Sequence, residues 1–160
     1  MSVTMFDLIS KRNGQLALKK VKEIPYDEEL QSYSSVLRAF RLLVHPAEFA
    51  EEHLWVLAVN TKLEPVAIFE IAHGGMTEAG FDMHGIFSRL LLCNCVAFFL
   101  CHNHPSGASQ PSEEDASMTK TVKSVASTLG YSLLDHVIIG RYSNYSFREK
   151  SDIFRSEVNE

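Results

Sequence analysis

The stretch Val96-Ala97-Phe98-Phe99-Leu100-Cys101-His102-Asn103-His104 most constrains what this chain can fold into. Its apolar first part is rich in β-formers and reads as a buried strand. Side chains alternate across a strand, so His102 and His104 share a face with Val96, Phe98 and Leu100. Cys95, Ala97, Phe99 and Cys101 take the other face. Two imidazoles so placed can reach one cation. Asp115 follows His104 by eleven residues, across a Gly/Pro/Ser loop, and can supply an anionic third ligand. Two histidines, a carboxylate and an open fourth position suit a catalytic zinc that keeps a water. The pattern predicts a metal-dependent hydrolase.

Each candidate has a plainer reading. Asp115 stands third after Ser112 and can close a capping box. It also falls on a helical stripe with Met118, Val122, Val125, Ala126 and Leu129, where an unpaired carboxylate is expensive and a metal compensates it. Ser112 reads as the helix N-cap, and its hydroxyl can also donate to the oxyanion of a tetrahedral intermediate. A zinc hydrolase needs a base for its water. Glu70, inside the apolar run Val66-Ala67-Ile68-Phe69-Glu70-Ile71-Ala72, is the candidate. From spacing alone, an edge-strand residue facing solvent explains Glu70 equally well. Cys93, Cys95 and Cys101 are odd in number and read as reduced, small buried hydrophobes. His136, beside Asp135, reads as half of a core pair. His84 has no spacing that ties it to the site, and His45 and His53 flank helix ends.

The remaining pattern predicts a mixed α/β sheet with helices packed on it. Strands are expected at Leu16–Ile24, ended by Pro25, at Leu54–Val59 and Pro65–Ala72 as a hairpin, at Ser132–Gly140, and at Tyr145–Phe147. Helices are expected from Asp27 to about Val44, from Phe81 to Leu92 with Ile86, Leu90 and Leu91 on one side, and from the Ser112 cap to Leu129, with Gly130 closing it. The 160 residues suffice for one domain with its own core. No apolar run approaches the roughly 18 residues of a membrane span, and no signal core opens the chain, so a cytoplasmic location is expected. The net charge of −5 argues against nucleic acid as the main partner. Lys19, Lys20 and Lys22 read as guards of an edge strand rather than a phosphate site.

His102-x-His104, seven residues, Ser112, two residues and Asp115 match the JAMM (JAB/MPN-type) metalloprotease motif. The string His102-Asn103-His104-Pro105-Ser106-Gly107 resembles the RadC-like branch of that superfamily, as do Asp135-His136-Val137-Ile138-Ile139-Gly140 and Tyr145-Ser146-Phe147. The resemblance runs from about Leu37 to Ser151. It implies a JAB/MPN (cytidine deaminase-like) fold over 37–155, with 1–36 as a strand-and-helix extension. It further implies zinc on His102, His104 and Asp115, Glu70 as base, and Ser112 as transition-state stabiliser. Asp82-Met83-His84-Gly85 departs from the family's usual His-Pro-Arg-Glu, and Cys101 stands where alanine is usual. A helix-hairpin-helix region found in longer members is expected to be absent.

The leading expectation is therefore a zinc peptidase or isopeptidase acting on a peptide or protein substrate. The runner-up is a DNA-repair or mobile-element-associated accessory protein without peptidase activity, with direct nucleic-acid binding left open. A metal-free scaffold ranks last. An exposed hairpin edge would allow a homodimer.

Overall fold

A computed structural model describes residues 2–74 and 82–155. Seven strands form one mixed sheet in the order β2-β1-β4-β3-β5-β6-β7. In chain order they are β1 (Ser2–Ser10), β2 (Leu16–Pro25), β3 (His53–Val59), β4 (Pro65–His73), β5 (Ala97–His104), β6 (Ser132–Gly140) and β7 (Asn144–Ser146). The helices are α1 (Tyr33–Val44), α2 (Met83–Cys93), α3 (Glu113–Thr128) and α4 (Phe147–Lys150). This is the α/β architecture of a JAB/MPN fold. No helix among the described residues is long and apolar enough to cross a membrane.

The central strands β3 and β5 are buried on both faces, and strand alternation divides the core in two. Trp55, Leu57, Ile68, Phe99 and Cys101 pack under α1. Leu54, Val56, Phe69, Phe98 and Leu100 pack under α2 and α3, against Ile86, Leu90, Val122 and Ala126. Phe98 and Leu100 thus separate from Ala97, Phe99 and Cys101 as the alternation predicts. Cys95 does not follow it: it precedes β5 and joins the α2/α3 side. Each fully buried Leu, Ile or Phe contributes about 1.5–3 kcal/mol, so the central strands carry much of the burial energy of the fold.

Several elements differ from expectation, each for a local reason. β1 shows no clean apolar–polar alternation because both of its faces meet the core, and the irregularity in its pairing with β2 places the extra residue, Val21, in β2. Met5 packs under α1 and Phe6 on the opposite side. The expected Asp27 start of α1 moves to Tyr33. Ser32 and Ser35 close a capping box there, and Leu30 is buried from a loop whose N–H bonds to the Leu63 carbonyl. α2 buries Phe87 beside Ile86 and Leu90, whereas Leu91 is 64% exposed. The expected start at Phe81 lies outside the described residues. Phe147 opens α4 instead of ending a strand. The β3–β4 hairpin is interior, since β4 also pairs with β1 and β3 with β5. The free edges are β7 and β2, and β2 carries the exposed Lys19, Lys20 and Lys22.

Candidate metal centre

β5 ends at the face that α3 reaches with its first turn. His102 is fully buried and His104 partly so, with the two Nε2 atoms 2.9 Å apart. Asp115 turns one carboxylate oxygen to each: Oδ1 lies 3.3 Å from His102 Nε2 and Oδ2 lies 3.5 Å from His104 Nε2. Among the described residues these three form the one group of histidine, cysteine or acidic side chains whose donor atoms all fall within 4.8 Å. A tetrahedral zinc with ligands at about 2.0–2.1 Å would set its donors about 3.3 Å apart.

The surroundings dictate which atoms face inward. His104 Nδ1 is 3.0 Å from the Ala108 carbonyl, so that nitrogen donates and Nε2 of the neutral ring keeps its lone pair. The loop that delivers Ala108 depends on close backbone contacts. A Cβ on Gly140 would meet the Gly107 carbonyl at 2.3 Å, and Gly107 itself has φ +94° under the Tyr142 ring. Two imidazole lone pairs and a carboxylate aimed at one point repel unless a proton or a metal ion sits among them. The donor set therefore fits a divalent metal of the zinc type.

Asp115 serves both readings the sequence left open. The Ser112 N–H donates to Oδ2 at 2.8 Å, and the Asp115 N–H donates to the Ser112 hydroxyl at 3.0 Å. Burial works to raise the Asp115 pKa. Hydrogen bonds from His102 and His104, the charge of His102 and the Ser112 N–H override it and hold the carboxyl well below its usual range. The α3 N-terminus favours the same charge. His104 is raised, chiefly by its hydrogen bond to Asp115, against burial and with help from the Ala108 carbonyl and the charges of Asp115 and Glu52. Ser112 itself is exposed at the helix start. Its oxygen accepts the capping bond, which leaves its proton free to donate outward.

Glu70 does not join the group. It pairs with Trp55, which pairs with Cys101, so all three share the α1 face of the sheet. His102, paired with Leu54, faces the other way. The Glu70 carboxylate lies 3.2 Å from His73 Nδ1 and 3.5 Å from His53 Nδ1. A base on that face cannot reach the centre. The expectation for Glu70 is corrected accordingly.

The acid that the register does bring to the centre is Glu52, which sequence reasoning missed. Continuing the ladder from the pair Leu54–His102 sets residue 52 opposite residue 104, on the metal face. Glu52 is half-buried, and its charge is felt at His104. Asn103, between the two histidines, points to the opposite face and clamps both neighbours of Glu52. Its Oδ1 accepts from the His53 N–H at 2.7 Å, and its Nδ2 donates to the Glu51 carbonyl at 2.9 Å. The available signal was the alternation Glu52-x-Leu54-x-Val56, which is usable once β3 is known to neighbour β5.

Two other histidines resolve simply. His136 lies directly behind His102 with Nε2 2.7 Å from His102 Nδ1, and only its backbone N–H engages the Asp135 side chain. His84 is exposed near Ser88.

A family model described as "RadC-like JAB domain" matches residues 30–152. A UPF0758 protein of Clostridium novyi is 39% identical over 103 residues, which cover 64% of this chain and 45% of that protein. A UPF0758 protein of Streptococcus agalactiae serotype V is 31% identical over 135 residues, covering 84% and 60%. The chain spans about half the length of the curated relatives it matches.

Proposed function

The chain belongs to the RadC-like JAB domain family, and from that premise we propose that it is a zinc-dependent hydrolase of amide bonds in peptide or protein substrates. The observation that carries this reading is the convergence of the two Nε2 lone pairs with the Asp115 carboxylate. His102, His104 and Asp115 would hold the ion. Bound there, zinc would supply Lewis-acid chemistry, lowering the pKa of a water to about 7 and polarising the scissile carbonyl.

The chain's own groups do the rest. Glu52, across the ladder from His104, takes the proton of the attacking water and returns it to the leaving amine. Asn103 fixes the backbone on either side of Glu52 and so fixes where that carboxylate can go. The Ser112 hydroxyl donates to the developing oxyanion while its oxygen stays anchored by the Asp115 N–H. The α3 dipole keeps Asp115 ionised as a ligand.

The test is a screen of zinc-loaded protein against peptide and isopeptide amides. The expected result is turnover that stops on chelation and returns with zinc. Stoichiometric zinc binding without turnover on any amide would contradict the hydrolase reading and favour an accessory role.

A further inference from the structure

Behind the site runs a chain of buried polar groups that hydrolysis does not use. His102 Nδ1 lies 2.7 Å from His136 Nε2, His136 Nδ1 lies 2.7 Å from Thr119 Oγ1, and Thr119 Oγ1 lies 2.6 Å from the Asp115 carbonyl. His102, His136 and Thr119 are all fully buried. The Phe147 ring stacks on His136 at 5.0 Å and seals it from solvent. The chain thus links one metal-facing residue, His102, to the backbone of another, Asp115.

Proton counting shows that this chain has two arrangements with equal numbers of hydrogen bonds. A neutral imidazole carries one N–H, and a hydroxyl donates once. With a cation at Nε2, the His102 proton sits on Nδ1 and donates to His136 Nε2. His136 then donates from Nδ1 to Thr119, and Thr119 donates to the Asp115 carbonyl. Without a cation, the lone pair on neutral His104 accepts from His102 Nε2–H across 2.9 Å. Thr119 then donates to His136 Nδ1, and His136 donates from Nε2 to His102 Nδ1. Each arrangement makes three hydrogen bonds, and the second exchanges the bond from Thr119 to the Asp115 carbonyl for the one from His102 to His104. A phenylalanine at 136 or a valine at 119 would allow neither.

We propose that His136 and Thr119 form a two-way relay that presents His102 Nε2 to the metal when it is bound and reverses when it leaves. The inference rests on the metal-centre reading above. His136 and Thr119 are positioning residues, for they touch neither substrate nor ion. Metal occupancy would be registered inside α3 through the rotation of the Thr119 hydroxyl.

The experiment is long-range ¹⁵N–¹H spectroscopy of the imidazoles in alkaline buffer, on zinc-loaded and zinc-stripped wild type. The expected result places the His136 proton on Nδ1 with zinc and on Nε2 without it. Alongside, zinc affinity is measured by chelator competition. His136→Phe should weaken binding by about 10- to 100-fold, and His136→Gln, which restores an acceptor for His102 Nδ1–H, should recover most of it. Thr119→Val should weaken binding and Thr119→Ser should not, a second pair that serves if the phenylalanine variant fails to fold. The same His136 tautomer in both states, or wild-type affinity in folded His136→Phe or Thr119→Val, would overturn the relay alone. No zinc uptake by the wild type would overturn the metal centre and the relay together.

Discussion

Two groups of side chains at one end of the sheet have the same composition and opposite properties. His102, His104 and Asp115 lie on the α2/α3 face. His53, Glu70 and His73 lie on the α1 face, one strand pairing away. Each offers two imidazoles and a carboxylate. In the first, the Nδ1 of each histidine is occupied, by the Ala108 carbonyl or by His136, so both Nε2 atoms point inward. In the second, His53 Nδ1 makes no hydrogen bond among the described residues, with the Glu70 carboxylate at 3.5 Å, and the His73 side chain is 67% exposed. Residue type alone does not make a metal centre. On the proposed reading the groups behind the ligands do, because they settle which nitrogen would face the ion before it arrives.

The largest expected effect separates the two carboxylates that face these groups. Glu52→Gln should retain zinc and lose about 10²- to 10⁴-fold in turnover, the range of a missing general base. Glu70→Gln should leave turnover unchanged. Steady-state rates of the two variants decide the matter, and the reverse pattern would return the base to the α1 face.

Ser112→Ala separates capping from catalysis. Loss of the cap should lower stability by about 1 kcal/mol in a denaturant titration. Loss of an oxyanion donor should lower turnover by about 10²- to 10³-fold in addition. A stability loss with normal turnover would reduce Ser112 to a structural cap.

The smallest effect is a pH dependence. His104 is raised, so its contribution to the zinc-free fold is present below its usual range and fades as pH rises through the raised value. Asp115 is depressed, so its contribution is present above the usual carboxylate range and is lost as pH falls toward the depressed value. The zinc-free protein should therefore be most stable between those ranges. Zinc needs His104 deprotonated, so its stabilisation grows as pH rises toward that group's titration, by about 1.4 kcal/mol per pH unit for one displaced proton. Melting temperatures of loaded and stripped protein should diverge with rising pH. A constant gap would show that no proton on His104 competes with the metal.

What the sequence made legible follows from how local each signal is. His102 and His104 are two apart in one strand, and Asp115 and Ser112 belong to one helix start. Periodicity and capping rules therefore locate all four without tertiary knowledge. The role proposed for Glu52 rests on its register against β5, fifty residues away, and nothing near it in the chain announces that pairing. Glu70 looked exceptional because an acid interrupts an apolar strand, but the strand's own alternation turns it to the opposite face. β1 was hidden because apolar residues occupy both of its faces, Val3 and Met5 on one and Phe6 on the other, so no apolar–polar alternation marks it. Thr119 was hidden because its stripe on α3 was read by its apolar members, although a fully buried threonine among Asp115, Val122 and Ala126 was itself a sign of a polar partner.

The central claim is that orientation, and not composition, makes the metal site, and zinc stoichiometry by native mass spectrometry tests it most directly. Wild type, Asp115→Ala and Glu70→Ala would be compared after purification without chelator and incubation with zinc. The account predicts one zinc in the wild type, one in Glu70→Ala and none in folded Asp115→Ala. Zinc retained by Asp115→Ala and lost from Glu70→Ala would contradict it and move the metal to the other face of the sheet.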